Sequence, residues 1–245
     1  MIDVLRPIPV EKLKLLVFDL DGTLIDSAQD LCNSVNAALT QFHLNPLPDP
    51  AIAGFVGNGA PLLMRRALAL SANVTPDEVD QQLFDQSYQY FLLYYREHKL
   101  DFTYAYEGVL EALKALFDLR EDPASVTRKM AVLTNKPVRP AMGICAGLGL
   151  ADYFVHIYGG DSFAAKKPDP MGLRSLMTEL GVQPDETAMI GDSKVDMQTA
   201  RNAGAWAVGC SFGFGPQNLM EVPPDILVDR PLDWTLALTP EKISL

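Results

Sequence analysis

An α/β fold, a doubly wound parallel sheet with an inserted α-helical domain, is predicted by three observations in the 245-residue sequence. Short apolar runs the length of a buried strand recur at Leu13–Asp19, Lys129–Asn135, Thr187–Asp192 and Trp206–Cys210. Stretches with helical spacing precede or follow each run, and such alternation implies parallel strands with helices on both faces. Between Ser27 and about Tyr104 no comparable run occurs, and the residues read as successive helices. The expected organisation is therefore a sheet domain from residues 1–26 and 105–245, interrupted by a helical domain at 27–104.

The first run, L-K-L-L-V-F-D, ends at Asp19 and is followed by Asp21-Gly22, a pair suited to a sharp turn. Within the insert, Pro46, Pro48 and Pro50 mark a loop. Thr75-Pro76-Asp77-Glu78 has the pattern of a capping box and is expected to open a long helix. Phe84, Tyr88, Phe91 and Tyr95 then share one helical face, which reads as core rather than as a stacking surface for substrate. The Glu107-Gly108 region is expected to return the chain to the sheet. The later runs supply the remaining strands, and ligands of such sheets bind beyond the strands' carboxyl ends.

Hydrophobic residues form 48% of the chain and charged residues 21%, which suits a sizeable core and sets disorder aside. The formal net charge of -11 argues against a nucleic-acid partner. An anionic substrate would meet the same repulsion, so a phosphate site would need a metal ion or a placed lysine. Cys32, Cys145 and Cys210 are far apart and lack zinc spacing, so they are expected to be buried thiols in a reducing compartment. The N-terminal residues lack the pattern of a secretory leader, and the first apolar run is too short to cross a bilayer. A cytoplasmic protein without a membrane partner is expected.

Chemistry concentrates at the strand ends. In F-D-L-D-G-T-L-I-D-S, Asp19 closes an apolar run, where an unpaired buried carboxylate would be costly unless a metal balanced it. Asp192, in I-G-D-S-K-V-D, could supply a second carboxylate to the same ion, although an N-cap for the next helix is the plainer reading. Asp196 lies one helical turn later and could hold a metal-bound water from the outer shell. Magnesium suits such an all-oxygen donor set. His43, His98 and His156 are scattered and form no competing cluster. Thr134-Asn135 offers a hydroxyl and backbone N–H groups to a phosphate oxygen, or a cap to a helix starting near Pro137. Lys167, in K-K-P-D-P, could bring positive charge to the same phosphate.

Taken together and in this order, these motifs resemble those of the haloacid dehalogenase (HAD) superfamily, in particular its phosphatases with a helical cap inserted after the first motif. The resemblance covers nearly the whole chain and implies a Rossmann-like core. It implies that Asp19 is the nucleophile that forms an aspartyl-phosphate, and that Asp21 is the general acid and base. Thr134 and Lys167 would bind phosphate. Asp19, the backbone carbonyl of Asp21, and Asp192 would hold Mg2+. Neighbouring carboxylates are expected to help Asp21 keep a proton. The segment G-F-V-G-N-G-A-P-L-L-M-R-R-A-L, Gly54 to Leu68, is similar to the corresponding segment of bacterial phosphoglycolate phosphatases, which implies 2-phosphoglycolate as substrate. Gly57, Asn58 and Gly59 would approach it, and Arg65 or Arg66, with Arg66 preferred, would pair with its carboxylate. Two features depart from that pattern: the charged stretch from Asp118 to Arg128, and Asp169 where histidine is expected. Another sugar-phosphate phosphatase or a phosphomutase would share the catalytic residues. A receiver-like signalling domain would share the aspartate, threonine, lysine and metal, but has no use for a cap or for Asp21. The expected partner is a small phosphomonoester, acted on by a monomer or homodimer.

Overall fold

The chain opens on a short edge strand, β1 (Ile2–Val4), and then enters the centre of the sheet with β2 (Leu15–Phe18), all four residues of which are buried. The computed structural model describes residues 1–118 and 128–239. A two-residue strand, β3 (Ile25–Asp26), leads out of the sheet into the helical insert. The insert comprises α1 (Ala28–Gln41), α2 (Asp49–Ala53), α3 (Ala60–Ala72) and α4 (Gln81–His98). Strand β4 (Tyr104–Ala105) brings the chain back and pairs antiparallel with β3. There follow α5 (Val109–Asp118), β5 (Lys129–Leu133), α6 (Val138–Gly147), β6 (His156–Tyr158) and α7 (Met171–Leu180). The described chain closes with β7 (Thr187–Gly191), α8 (Lys194–Ala203), β8 (Trp206–Cys210), α9 (Pro216–Leu219), β9 (Ile226–Val228) and α10 (Asp233–Ala237).

The main sheet has seven strands in the order β1-β9-β8-β7-β2-β5-β6. All pairings are parallel except β1 with β9. From β2 the chain builds outward on one side through β5 and β6, then returns to build the other side from β7, so β2 lies at the switch in strand order where such sheets bind ligands. The pleat sorts side chains between two cores. Leu16 and Phe18 join Val132, Ile190 and Val208 on the face that continues into the insert, whereas Leu15 and Val17 join Leu133, Met189 and Ala207 on the other.

Three of the four sequence-predicted strands end one or two residues early, so Asp19, Thr134, Asn135 and Asp192 lie just past the last paired residues, whereas the fourth, Trp206–Cys210, forms with the expected bounds. The capping box forms, with the Glu78 carboxylate accepting from the Thr75 N–H and hydroxyl at 2.8 Å, but it closes only a 3-10 turn, Pro76–Glu78. Val79 then turns extended and buries, and the long helix α4 begins afresh at Asp80, whose carboxylate accepts from Leu83 N at 2.8 Å. The aromatic face of α4 packs as core, with Phe84, Tyr88, Phe91 and Tyr95 stacked at successive centroid distances of 5.6, 6.3 and 5.8 Å. Buried Asp30 ties the two ends of the insert together by accepting from Thr103 N at 2.8 Å and Thr103 Oγ1 at 2.7 Å. Of the charged stretch from Asp118 to Arg128, residues 119–127 lie outside the described residues. Asp169 accepts from Met171 N at 2.9 Å where α7 begins. Cys32, Cys145 and Cys210 are buried free thiols, and among the described residues no helix is long and apolar enough to cross a membrane.

Candidate active site

The register of three adjoining strands gathers the candidate residues. Phe18 at the end of β2 faces Val132 of β5 and Ile190 of β7, so the residues that follow these strands emerge on one edge of the sheet. Asp19 is anchored by its N–H, which donates to Ile190 O at 2.8 Å. Lys167, in the loop before α7, is buried with its Nζ 2.9 Å from Asp19 Oδ1 and 2.6 Å from Asp196 Oδ1. Asp192 follows β7, and its carboxylate accepts from Phe214 N at 2.7 Å and Gly215 N at 3.1 Å. The turn after Asp21 packs directly on this carboxylate. Gly22 has φ +85°, and a Cβ there would lie 2.3 Å from Asp192 Oδ2, so only glycine fits.

Asp192 does not cap α8. Ser193 is the N-cap, and Asp196 completes its capping box by accepting from Ser193 N at 3.2 Å and Ser193 Oγ at 2.7 Å. That leaves Asp192 free to face the cleft, and the second Asp196 oxygen to meet Lys167. The Thr134-Asn135 pair does not cap α6 either, since the N-cap there is Pro137. Thr134 Oγ1 accepts from Lys136 N at 3.2 Å. Asn135 Nδ2 instead spans the cleft, donating to Lys167 O at 3.0 Å and to Gly57 O of the insert at 3.1 Å. Its Oδ1 is buried without a hydrogen-bonding partner.

Asp19, Asp192 and Asp196 bring carboxylate oxygens within 4.8 Å of one another, all buried. Burial, then the facing charge of Asp196, pushes the Asp19 and Asp192 carboxyls above the ordinary carboxylate range, against the pull of Lys167. Burial alone would lower the Lys167 ammonium, but Asp19 and Asp196 outweigh it and hold it raised. One ammonium therefore faces three carboxylates, and full ionisation would leave negative charge that a cation must balance. Because every donor is a carboxylate or carbonyl oxygen, the residues fit a hard divalent ion.

Asp21 points toward the insert, where the groups that touch its carboxylate are a hydroxyl and an ammonium rather than the acidic neighbours expected. Ser27 Oγ donates to it at 2.5 Å and Lys136 Nζ at 2.9 Å. Between sheet and insert lies a cavity lined by residues of both. Asp19, Asp21, Thr134, Asn135 and Lys136 line it from the sheet side. Gly57, Gly59, Phe91 and Tyr95 line it from the insert. Asn58 meets the sheet domain through its carbonyl, which accepts from Lys166 Nζ at 2.7 Å. Neither Arg65 nor Arg66 is among the lining residues. Arg65 lies over Phe84, its Cζ 4.1 Å from the ring centre, and donates to Gln81 Oε1 at 2.9 Å.

Sequence reasoning missed Lys136 and the part of Tyr95 that faces the cavity. The signal for Lys136 was its position in L-T-N-K-P, a lysine before proline just beyond a strand, as at Lys167-Pro168.

The sequence matches the family of haloacid dehalogenase-like hydrolases over residues 16–210. The chain belongs to this family. Among its haloacid dehalogenase-like relatives, a phosphoglycolate phosphatase of Vibrio vulnificus (strain YJ016) is 37% identical over 222 residues, covering 89% of this chain and 93% of that protein. A phosphoglycolate phosphatase of Neisseria meningitidis is 36% identical over 232 residues, covering 95% and 93% respectively. The crystal structure of a predicted phosphoglycolate phosphatase from Haemophilus somnus superposes with a TM-score of 0.85 at 30% identity, covering 93% of this chain and 99% of that one. The fold class is thus that of the haloacid dehalogenase-like hydrolases, an α/β sheet with helices on both faces.

Proposed function

We propose that this hydrolase is a magnesium-dependent phosphomonoesterase that converts 2-phosphoglycolate to glycolate and phosphate through an aspartyl-phosphate on Asp19. The observation that carries the reading is the meeting of Asp19, Asp192 and Asp196 with Lys167 at the carboxyl ends of adjoining strands, Lys167 Nζ standing 2.9 Å from Asp19. A buried carboxylate beside a buried ammonium suits nucleophilic attack on a phosphate dianion whose charge that ammonium offsets. The relatives described as phosphoglycolate phosphatases support the choice of substrate.

In this mechanism an Asp19 oxygen attacks phosphorus in line with the ester oxygen, and the P–O bond to the organic group breaks as the acyl-phosphate bond forms. Asp21 delivers a proton to the departing alkoxide, then takes one from the water that attacks the acyl-phosphate, which frees phosphate and restores Asp19. Thr134, Asn135 and Lys167 hold the phosphate oxygens. Asp19, the backbone carbonyl of Asp21 and Asp192 would hold Mg2+, with Asp196 in its outer shell. When bound, the ion supplies charge neutralisation for the transferred phosphoryl group. The helical cap, residues 27–104, closes the organic part of the substrate against the sheet domain.

The test is a panel of small phosphomonoesters assayed with Mg2+ and after exhaustive chelation. Phosphoglycolate is expected to give the highest kcat/KM, and chelation to remove the activity. In Asp19→Asn, whose amide cannot form the acyl-phosphate, turnover is expected to vanish while the thermal unfolding transition remains. Hydrolysis by that purified variant at more than a trace level would rule out Asp19 as nucleophile.

A further inference from the structure

The cavity between the sheet and the insert contains a cation that the reaction above leaves unused. Lys136 follows β5, and its side chain is only 3% exposed. Its Nζ lies 2.9 and 3.1 Å from the two Asp21 oxygens and 4.7 Å from the centre of the Tyr95 ring. Tyr95 comes from the insert helix α4, is 3% exposed, and its buried hydroxyl lies beside the Lys136 ammonium, with no acceptor for its own proton. Among the described residues lining the cavity, Lys136 alone carries positive charge, and the walls beyond the two aspartates are largely apolar, including Leu31, Leu63 and Phe91.

We propose that Lys136 and Tyr95 form a carboxylate subsite. The ammonium and the phenolic hydroxyl both donate to the carboxylate of a phosphorylated 2-hydroxy acid, and Lys136, rather than a cap arginine, selects that substrate class. The inference rests on the phosphomonoesterase reading of the same cleft. Reach supports it first. The ester oxygen that Asp21 protonates is bonded to the carbon that carries the carboxylate, so the carboxylate falls beside Asp21, where Lys136 already stands. Charge supports it second. A carboxylate entering an apolar-walled cavity loses its hydration, and Lys136 is the group placed to offset that loss. The Tyr95 hydroxyl is a third sign, because beside an ammonium that can only donate, its buried proton still calls for an acceptor. Arg65 is occupied by Phe84 and Gln81, and Arg66 does not line the cavity.

The experiment compares kcat/KM for 2-phosphoglycolate with that for ethyl phosphate, which keeps the phosphate and lacks the carboxylate. The proteins are the wild type, Lys136→Met, Tyr95→Phe and Arg66→Ala. Lys136→Met is expected to slow both substrates, since Lys136 also touches Asp21, but to cut the phosphoglycolate preference by on the order of 10-fold or more, the worth of a charge-assisted hydrogen bond. Tyr95→Phe is expected to cut the preference by a smaller factor, and Arg66→Ala to leave it unchanged. Glycolate inhibition of ethyl phosphate hydrolysis should weaken in Lys136→Met and Tyr95→Phe, while inhibition by inorganic phosphate stays. Equal losses on both substrates in Lys136→Met, or a loss of preference in Arg66→Ala instead, would overturn the subsite. If Lys136→Met does not fold, Tyr95→Phe decides, because it removes one hydroxyl and keeps the ring; an unchanged preference there overturns the proposal. A wild type with no preference for phosphoglycolate would instead overturn the substrate reading itself, a failure distinct from that of Lys136.

Discussion

Lys166 and Lys167 are adjacent in the chain and have unrelated partners. Lys167 Nζ touches Asp19 and Asp196 within the buried cleft, whereas exposed Lys166 donates to the Asn58 carbonyl of the insert. If phosphate lies beside Asp19, Lys167→Ala removes the ammonium that faces it, and a loss of roughly 10²–10³ in kcat is expected, as for removal of a charge-stabilising donor. Lys166→Ala should shift KM modestly through its contact with the insert and leave kcat nearly unchanged. Steady-state kinetics of the two variants checks this, and equal losses in kcat would place the phosphate elsewhere. At this scale Asp19, Thr134 and Asp192 could be singled out from sequence because each directly follows a strand end, where position restricts function, and Lys167 because of its place in K-K-P-D-P. Lys136 carried a weaker signal, its place in L-T-N-K-P, because a lysine near a strand end is ordinarily solvated. Its burial shows in the fold, where Asp21 from the turn after β2 and Tyr95 from the distant helix α4 approach it.

Helix α4 shows how a correct local motif can mark the wrong boundary. The Thr75–Glu78 box forms as its residues dictate, yet burial of Val79 breaks the turn, and Asp80 becomes the cap of the 18-residue helix. Asp80→Ala should therefore lower stability by about 1 kcal/mol, the usual cost of losing an N-cap side chain. Thr75→Ala should cost less, because its box closes only the preceding 3-10 turn. Urea denaturation of both variants measures the difference, and a larger effect at Thr75 would return the start of α4 to the box. Strands β1, β6 and β9 escaped the sequence reading for a related reason. Each has three residues, too few for a period to emerge, and their pairing is set by neighbours in the sheet rather than by their own pattern. The helical insert was readable as a region because its lack of strand runs extends over many turns.

At the scale of the whole molecule, an excess of acidic residues surrounds a cleft whose own chemistry requires cations. The net charge of -11 foretold that need, but the folded arrangement was required to show that one buried ammonium, touching two of them, stands against three clustered carboxylates there. This imbalance links stability to pH and to metal. In the metal-free protein, burial and the charge of Asp196 hold the Asp19 and Asp192 carboxyls above their ordinary value of 3.8. As pH rises past that value, the unfolded chain gives up these protons first, so the folded state binds more protons than the unfolded one. The stability these two groups contribute is thus fully present below 3.8 and is lost as pH rises through their raised values. A divalent ion held by the ionised carboxylates would favour the folded state by mass action, so its effect is expected to grow over the same range. The expected result is a small difference in Tm between Mg2+-loaded and chelated protein at acid pH, and a difference that widens as pH rises toward neutrality and above. Taking the difference at each pH cancels titrations elsewhere in the chain, such as Asp225, whose partner arginines hold its carboxyl low against the opposing effect of burial. Thermal unfolding across that range, with and without Mg2+, tests the link. A difference that stays constant with pH would show that the ion does not bind through these carboxylates. In Asp192→Asn the widening should shrink, because one of the titrating ligands has been removed.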